Sequence, residues 1–523
     1  MKSAIYGDFM NLNYYAYLKA MQSRFTFLLP SDQALTYYYD PASMKSRNPR
    51  AVKFIFQGGS FPVKLQQFNY YCSYNKDKGT IGTIGAQIPG TNPFTNAEIV
   101  NRLKDILETH TIVHDGTNPM SHTGKSSLPS QEYYGIPTSD PLPEYYLSKN
   151  GNAIKVIRDE EDNVIAFKGG FQLENERQGI ESETPGVLEC DVVEPSENDN
   201  GYTYVLDAPL VPTYRSVYSI FTNDAEMKNT EGTGGETPYS MFYDLCTADG
   251  YETEIIGCGL VDGNLTKTQR ESALKKFKIF ISDNGLDYNV QFFNNYRYTI
   301  FVPTNEAVLA AIEDGLPTWE DIREDFRSHC KPEMEEIESP NGSVWVVKTD
   351  ADGEIVYTDS LETYEDSIRI AAKITYLTNF VRYHFADNSV FADKTVLAPN
   401  EMVTSSYDKE LELFCKLHVD RIANGDGTDL RVCDDVTWKK NGNNMGTPLV
   451  TVGEKNVLAR DVSCSSSPVN VAMKGITINS SSAAVIHSID GYLNHTEVID
   501  GRHDKTWEST IKAKRYLQRY AIR

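Results

Sequence analysis

No stretch of this 523-residue chain approaches the roughly 18 consecutive apolar residues that a membrane-crossing helix needs. Positive charge is scarce: 50 basic residues face 73 acidic ones, and the net charge of −23 excludes a surface built to hold nucleic-acid phosphates. No nucleotide-binding glycine loop, nucleophile elbow or zinc-helix motif occurs. The eight cysteines (Cys72, Cys190, Cys246, Cys258, Cys330, Cys415, Cys433 and Cys464) contain no Cys-x-x-Cys. Their wide spacing leaves two readings open, extracellular disulfides or buried free thiols. No metal cluster is visible and no cofactor is expected. The first 20 residues, polar and Tyr-rich after Lys2, lack a signal-peptide pattern.

What is present is a repeat. Phe25-Thr26-Phe-Leu-Leu-Pro30-Ser31-Asp32-Gln-Ala34-Leu35 recurs 273 residues later as Tyr298-Thr299-Ile-Phe-Val-Pro303-Thr304-Asn305-Glu-Ala307-Val308. Aromatic and β-branched residues predict a buried strand. Proline ends it, having no amide to give to a ladder. Ser31 and Thr304 then stand where a hydroxyl caps the first amides of a helix. In the second copy that helix takes in Val308, Leu309 and Ile312 and stops near Gly315 and Pro317. Thr318-x-x-Asp321 predicts the cap of another helix.

Two more echoes keep the order. Thr95-x-x-Glu98 opens a helix over Glu98–Leu107 that leads to His110, while Ser367 precedes Ile370, Ile374, Leu377 and Val381 on the way to Tyr383-His384. The two histidines are 274 residues apart. Each half closes on a strand, Tyr204 to Asp207 and Val485 to Asp490, with the aspartates 283 apart. A period this long means tandem domains rather than a solenoid.

These motifs resemble the fasciclin family: a Thr-x-Phe-x-Pro-Thr-Asp/Asn-x-Ala-Phe corner, a Tyr-His pair after a central helix, and an Asn-Gly closing strand that ends in Asp. Residues 26–35 and 299–308 match the corner, with Thr26, Pro30, Asp32, Thr299, Pro303 and Asn305 at its marked positions. Thr109-His110 and Tyr383-His384 match the pair, and Asn200-Gly201 to Asp207 and Asn479 to Asp490 match the closing strand. Thr109 departs from the family's Tyr, and Ala208 from its Gly. The resemblance implies an α+β fold of two tandem fasciclin-like domains, each a β-wedge or sandwich with helices packed on one side. It implies non-catalytic adhesion or matrix contact at a cell surface, and it makes His110 and His384 buried residues that bond the strand–helix junction. The acidic, Tyr- and Asn-rich style is similar to bacterial surface lipoproteins that accompany outer-membrane glycan uptake systems. On that footing the protein is exported to the cell surface or outer membrane, its export signal or lipid-anchor cysteine having been trimmed.

The polar, Gly-rich stretch 222–238 is the expected boundary. It divides the chain into domains at 1–235 and 236–495, followed by a basic tail at 496–523. Residues 154–167 and 344–357 each read as strand, acidic turn, strand. Asp350-x-Asp352-Gly353 has the opening of a calcium loop but lacks its terminal glutamate and flanking helices, and an ordinary turn accounts for it. From Gly501 to Arg523 seven basic residues face two acidic ones, with Ile511, Tyr516 and Tyr520 near helical spacing. This tail either docks on the acidic body of its own chain or meets a partner.

No Ser, Cys or Glu is echoed beside His110 and His384, so no enzyme is expected. The remaining chemical signal is tyrosine, 32 in all. Tyr133, Tyr134, Tyr145 and Tyr146, set among Pro137, Pro141 and Pro143, form the candidate binding loop, on an expected exposed insert. Three functions stay open: adhesion, glycan binding as an accessory to a membrane uptake complex, and a structural role through the basic tail.

Overall fold

The structure, a computed structural model, describes residues 24–40, 50–57, 64–75, 80–87, 96–114, 120, 142–198, 201–213, 215–222, 237–282, 288–290, 297–340, 342–393, 400–422, 429–445, 450–451, 453–464, 478–496, 498–499, 502–503 and 505–522. Tyr133, Tyr134 and most of the 222–238 linker lie outside them. The class is α+β, with two large sheets, one in each half.

Both sheets are organised around the repeated strand. Arg24–Pro30 lies between Thr111–His114, antiparallel to it, and Gly201–Leu206, parallel to it. Arg297–Pro303 lies in the same way between Phe385–Asp387 and Ile478–Ile489. The registers agree to the residue. Thr26 faces Ile112 and Thr299 faces Ala386; Pro30 faces Leu206 and Pro303 faces Ile489. A parallel partner cannot be reached by a tight turn, so everything between the motif strand and the closing strand is crossover. The residue opposite the first aromatic of each motif is small, Gly201 against Phe25 and Ala484 against Tyr298. Gly201 sits at φ +142°, where an added Cβ would lie 1.7 Å from the Phe25 carbonyl oxygen.

Outward from this three-strand unit the halves differ. In the first, the closing strand continues into Cys190–Asn198, Val164–Lys168, Ala153–Arg158 and Tyr145–Leu147. A separate four-stranded meander is made by Tyr38–Tyr39, Arg50–Gln57, Lys64–Asn75 and Thr80–Gln87. In the second, the sheet grows on the other side through Asn400–Asp408, Leu413–Arg421 and Leu430–Asp434. There the motif strand is buried on both faces. Tyr298, Ile300 and Val302 join one core with helices Ser240–Cys246, Trp319–Ser328 and Tyr364–Tyr383, while Phe301 joins another with Met402, Leu417, Val419 and Val432. That first core also takes in Val217, Ile220 and Phe221 of the helix Val217–Thr222, ahead of the expected linker.

Local chemistry accounts for the helix ends. Thr304 caps Asn305–Glu313 by accepting the Ala307 amide, and Thr318 with Asp321 forms a capping box on Trp319–Ser328. Gly315 takes φ +110° just past the first of these helices. The long helix starts at Tyr364, upstream of Ser367, because the Thr363 side chain accepts the Asp366 amide. In the first half Ser31 accepts the Ala34 amide at 3.1 Å, but only a 3-10 turn, Ala34–Thr36, follows. Tyr37-Tyr38-Tyr39 comes next, and Tyr38–Tyr39 enters a strand, where aromatic residues are favoured over helix.

The expected hairpin at 154–167 is present as Ala153–Arg158 paired with Val164–Lys168. The one at 344–357 closes on itself only at its tip, where Thr349 bridges Ile355, and its longer strands are partnered elsewhere. Gly342–Val347 pairs with Met334–Ser339, and Tyr357–Leu361 pairs with Cys330–Pro332. Both acidic turns close in one way: Asp159 Oδ1 accepts the amides of Glu161 and Asn163, and Asp350 Oδ1 those of Asp352 and Glu354.

The tail docks on its own chain, and mainly by apolar burial rather than charge. Helix Thr510–Arg519 buries Ala513 and Tyr516 in the core of Tyr298 and Val217 together with Trp507 and Tyr520, and Tyr520–Ala521 pairs with Tyr407–Asp408. One ion pair, Arg519 to Asp408 at 2.8 Å, assists.

The halves meet over Ala153, Leu458, Val485, Leu173 and Phe391, with the rings of Tyr145 and Phe391 stacked 4.8 Å apart. Beside this patch Arg460, fully buried, makes a two-pronged ion pair with Asp105 of the helix Asn96–Thr109. Removing one partner of such a pair leaves a buried uncompensated charge, whereas replacing both by apolar groups does not. Asp105→Ala is therefore expected to cost about 3–5 kcal/mol in urea unfolding, and the double variant Asp105→Leu/Arg460→Met much less. Equal losses in the two would contradict a buried ion pair joining the halves.

Candidate functional site

The residues most suited to chemistry in each half are its motif histidines, and both are spent on the backbone. His110 follows helix Asn96–Thr109, and its Nδ1 lies 2.7 Å from the Ile106 carbonyl. His384 caps helix Tyr364–Tyr383, with Nδ1 2.9 Å from the Phe380 carbonyl. A carbonyl only accepts, so Nδ1 carries the proton. Nε2 must then accept, and it does: the Leu210 amide donates to His110 at 2.9 Å and the Leu493 amide to His384 at 3.1 Å. The histidine carbonyls accept the amides of Leu28 and Phe301 in the motif strands. The neutral imidazole thus ties the central helix to the segment after the closing strand, and the same residue's carbonyl adds the motif strand.

Burial pushes both imidazoles down from the ordinary 6.5 to about 4. The aromatic rings of Phe242 and Phe380 lie 5.3 and 4.8 Å from that of His384. A protonated ring would turn a second N–H against the Leu493 amide. This arrangement holds a fold together and offers no base to a substrate.

The other motif residues serve the same junctions. After Pro30 and Pro303, the Ser31 and Thr304 amides donate to the carbonyls of Leu206 and Ile489. Thr299 donates to the Asn388 carbonyl at 2.7 Å and accepts the Val390 amide at 3.0 Å, while Thr26 Oγ1 lies 2.7 Å from His114 Nε2. Asn305 fastens the helix Ser240–Cys246, donating to the Thr237 carbonyl and accepting the Met241 amide. Asp32, its counterpart, is exposed. Asp207 accepts the Asp191 amide at 2.8 Å, and Asp490 is exposed at the end of its strand. Tyr383 donates to the Lys416 carbonyl and accepts the Asp435 amide at 3.0 Å. Thr109, where the first half lacks that tyrosine, accepts instead from the Asn150 side chain at 2.9 Å.

The described part of the candidate binding loop is packed rather than exposed. Tyr146 is buried in strand Tyr145–Leu147, and its hydroxyl accepts from Arg158 at 2.9 Å. Tyr145 is half-buried against Phe391. It borders a cleft of about 160 Å³ between the halves, which the sequence did not reveal because its lining comes from distant segments: Tyr145, Lys155, Leu173, Arg177, Lys455 and Asn456. Most charge there is already matched, Arg177 by Glu174 and Glu454, and Lys455 by Asp429.

Cys190, Cys246, Cys258, Cys330, Cys415 and Cys433 are free thiols, and burial raises each of them, Cys258 and Cys433 to about 12. Such thiols are poor nucleophiles. Among the described residues no group of three or more His, Cys, Asp or Glu is placed to hold a metal, and no helix is long and apolar enough to cross a membrane.

The depressed histidines fix the sign of an acid response. The unfolded chain takes up protons below 6.5 that the folded chain refuses until about 4, so the stability these groups carry is complete above 6.5 and is lost as pH falls through that window. Each histidine is worth on the order of 3 kcal/mol. A urea midpoint that stays flat from 6.5 to 4 would contradict this. His384→Ala is expected to cost about 3 kcal/mol or more at neutral pH, through the stranded Phe380 carbonyl and Leu493 amide and the cavity left behind.

No family model matches the chain, and no curated protein matches it. A solved FAS1 domain pair from the insect cell adhesion molecule fasciclin I aligns over 94% of this chain and 95% of that one, at 12% identity and a TM-score of 0.21, too loose an overlap to rank as a shared fold.

Proposed function

We propose that this chain is a non-catalytic binding protein of fasciclin-like type, two tandem β-wedge domains acting in adhesion or matrix contact at a cell surface. The observation that carries this reading is the doubled histidine lock. The group best suited to acid–base chemistry in each half is neutral, buried and committed through both ring nitrogens to backbone partners at matched positions. The matched strand registers support the division into two domains. The larger core of the second half, which begins at Val217 and includes Tyr516 and Tyr520, supports assigning the tail to the second domain.

A glycan-binding role is the second reading. What favours it is Tyr145 with the Lys155 ammonium 5.7 Å from its ring, at the edge of the cleft between the halves. Two measurements separate the readings. Beads coated with the protein are expected to attach to cells or matrix well above albumin-coated beads, and attachment at the albumin level would sink the adhesion reading. Calorimetry against a polysaccharide panel is expected to show no saturable heat. Saturable binding that disappears in Tyr145→Leu or Lys155→Ala would instead establish the glycan reading.

A further inference from the structure

The ribbon Met334–Ser339/Gly342–Val347 pairs with no other strand among the described residues. A lone two-stranded ribbon is marginal in water, yet this one displays large apolar side chains. Opposed residues share a face, so Trp345 stands across from Glu336 beside Met334 and Val347, while Ile337 and Val344 oppose each other on the other face. Trp345 is 61% exposed and Val344 48%. From Glu333 to Asp359 eight carboxylates accompany a single lysine, Lys348, which is itself paired with Glu333 at 2.8 Å. Two such ribbons cannot lie edge to edge without setting like charges opposite one another. Whatever covers this ribbon must bring positive charge together with an apolar surface.

The same chain carries such a surface. The tail helix Thr510–Arg519 buries Ala513 and Tyr516 and turns Ile511, Lys514, Arg515 and Gln518 outward, one stripe at helical spacing. Ile511 is 68% exposed, and Lys514 lies 5.3 Å from the ring of Tyr364, itself 68% exposed. Tyr364 begins the helix that directly follows Tyr357–Leu361, the strand at the root of the acidic ribbon. Tyr364 follows the Leu361 end of that strand and the ribbon continues beyond its Tyr357 end, so one strand links the two patches.

We propose that a second copy of this chain covers both patches in a two-fold dimer, each ribbon lying on the basic stripe of the other copy's tail helix. Two complementary patches on one chain allow both contacts to form at once, as an isologous pair requires. Trp345 and Ile511 are the apolar anchors, and Glu336 and Glu338, on the Trp345 face of the ribbon, meet Lys514 and Arg515. The overall charge of −23 repels at long range, but at about 0.15 M salt screening confines that repulsion to within roughly 8 Å of the surface. This surface lies apart from the histidine locks and does not depend on the adhesion or glycan readings.

The test is sedimentation or light scattering of the full chain across concentration, with two charge-reversed variants. Glu336→Lys/Glu338→Lys and Lys514→Glu/Arg515→Glu alter exposed side chains, and their circular dichroism and melting should match the native chain. The native chain is expected to form a dimer. Each variant alone is expected to weaken it roughly tenfold or more, and an equimolar mixture of the two to restore it, since both contacts regain opposite charges. Trp345→Ala is expected to weaken it without touching charge. A native chain that stays monomeric, open-ended oligomers in place of a dimer, dimers indifferent to either reversal, or a mixture that fails to recover would each overturn the proposal.

Discussion

In each half one histidine bonds three pieces of chain that sequence keeps far apart, two through its uncharged imidazole and one through its main-chain carbonyl. His110 and His384 each donate to the last turn of a helix and accept an amide from the segment beyond the closing strand, and their carbonyls each accept an amide from the motif strand. No other side chain combines a donor and an acceptor on opposite sides of a flat, compact ring, which is why histidine serves here although burial strips its charge. His487 shows the constraint from the other side. It is equally buried, but its Nε2 faces the Val390 carbonyl and its Nδ1 the Asn456 amide, so the proton sits on the opposite nitrogen. The tautomer follows the backbone partners in every case.

Around these locks the two halves have gone separate ways. The second encloses its motif strand on both faces and draws in helices from before and after it, Val217–Thr222 and Thr510–Arg519. The first extends its sheet toward Tyr145 and presents that edge to the second. Arg460 and Asp105 then hold the halves in a fixed relation, because a buried guanidinium has no lower-energy place to go once its carboxylate is lost. The repeated residues build the scaffold. The surfaces that differ, the ribbon at 334–347 and the cleft beside Tyr145, are left for recognition.

The scaffold was legible because its signals are local. Pro303, Thr304 and Gly315 fix strand end, helix start and helix stop by backbone chemistry alone, and the spacing of His110 and His384 exposed the duplication. Where local chemistry competed, reading failed: Ser31 caps as expected, but three tyrosines pull the chain into a strand before a helix can grow. The acidic stretch near Asp350 does close on itself, Thr349 bridging Ile355, but its flanking strands pair upstream with Met334–Ser339 and Cys330–Pro332, and the Pro340-Asn341-Gly342 turn signal that announces the first of these pairings was passed over. Tyr145 and Tyr146 were read as exposed from the prolines around them, whereas Phe391 and Arg158, which pack them, come from elsewhere in the chain. The Arg460–Asp105 pair had no sequence signal at all, since nothing in a single arginine announces that it will be buried.

The parallel pairing of Phe25 with Gly201 and of Arg297 with Ala483 also sets the order in which this chain can mature. A motif strand made early has no parallel neighbour until almost the whole of its domain has been synthesised. Pairings between such distant segments form late, and the loop entropy they must overcome slows them. Until the closing strand arrives, the most apolar strand of each half is an open edge, suited to mispairing with its own repeat from the other half. The two motif strands are alike enough for that exchange. At one position of the shared register the two closing strands carry different residues: Gly201, whose place opposite Phe25 leaves no room for a Cβ, and Ala484, whose Cβ would count against pairing with the first motif strand.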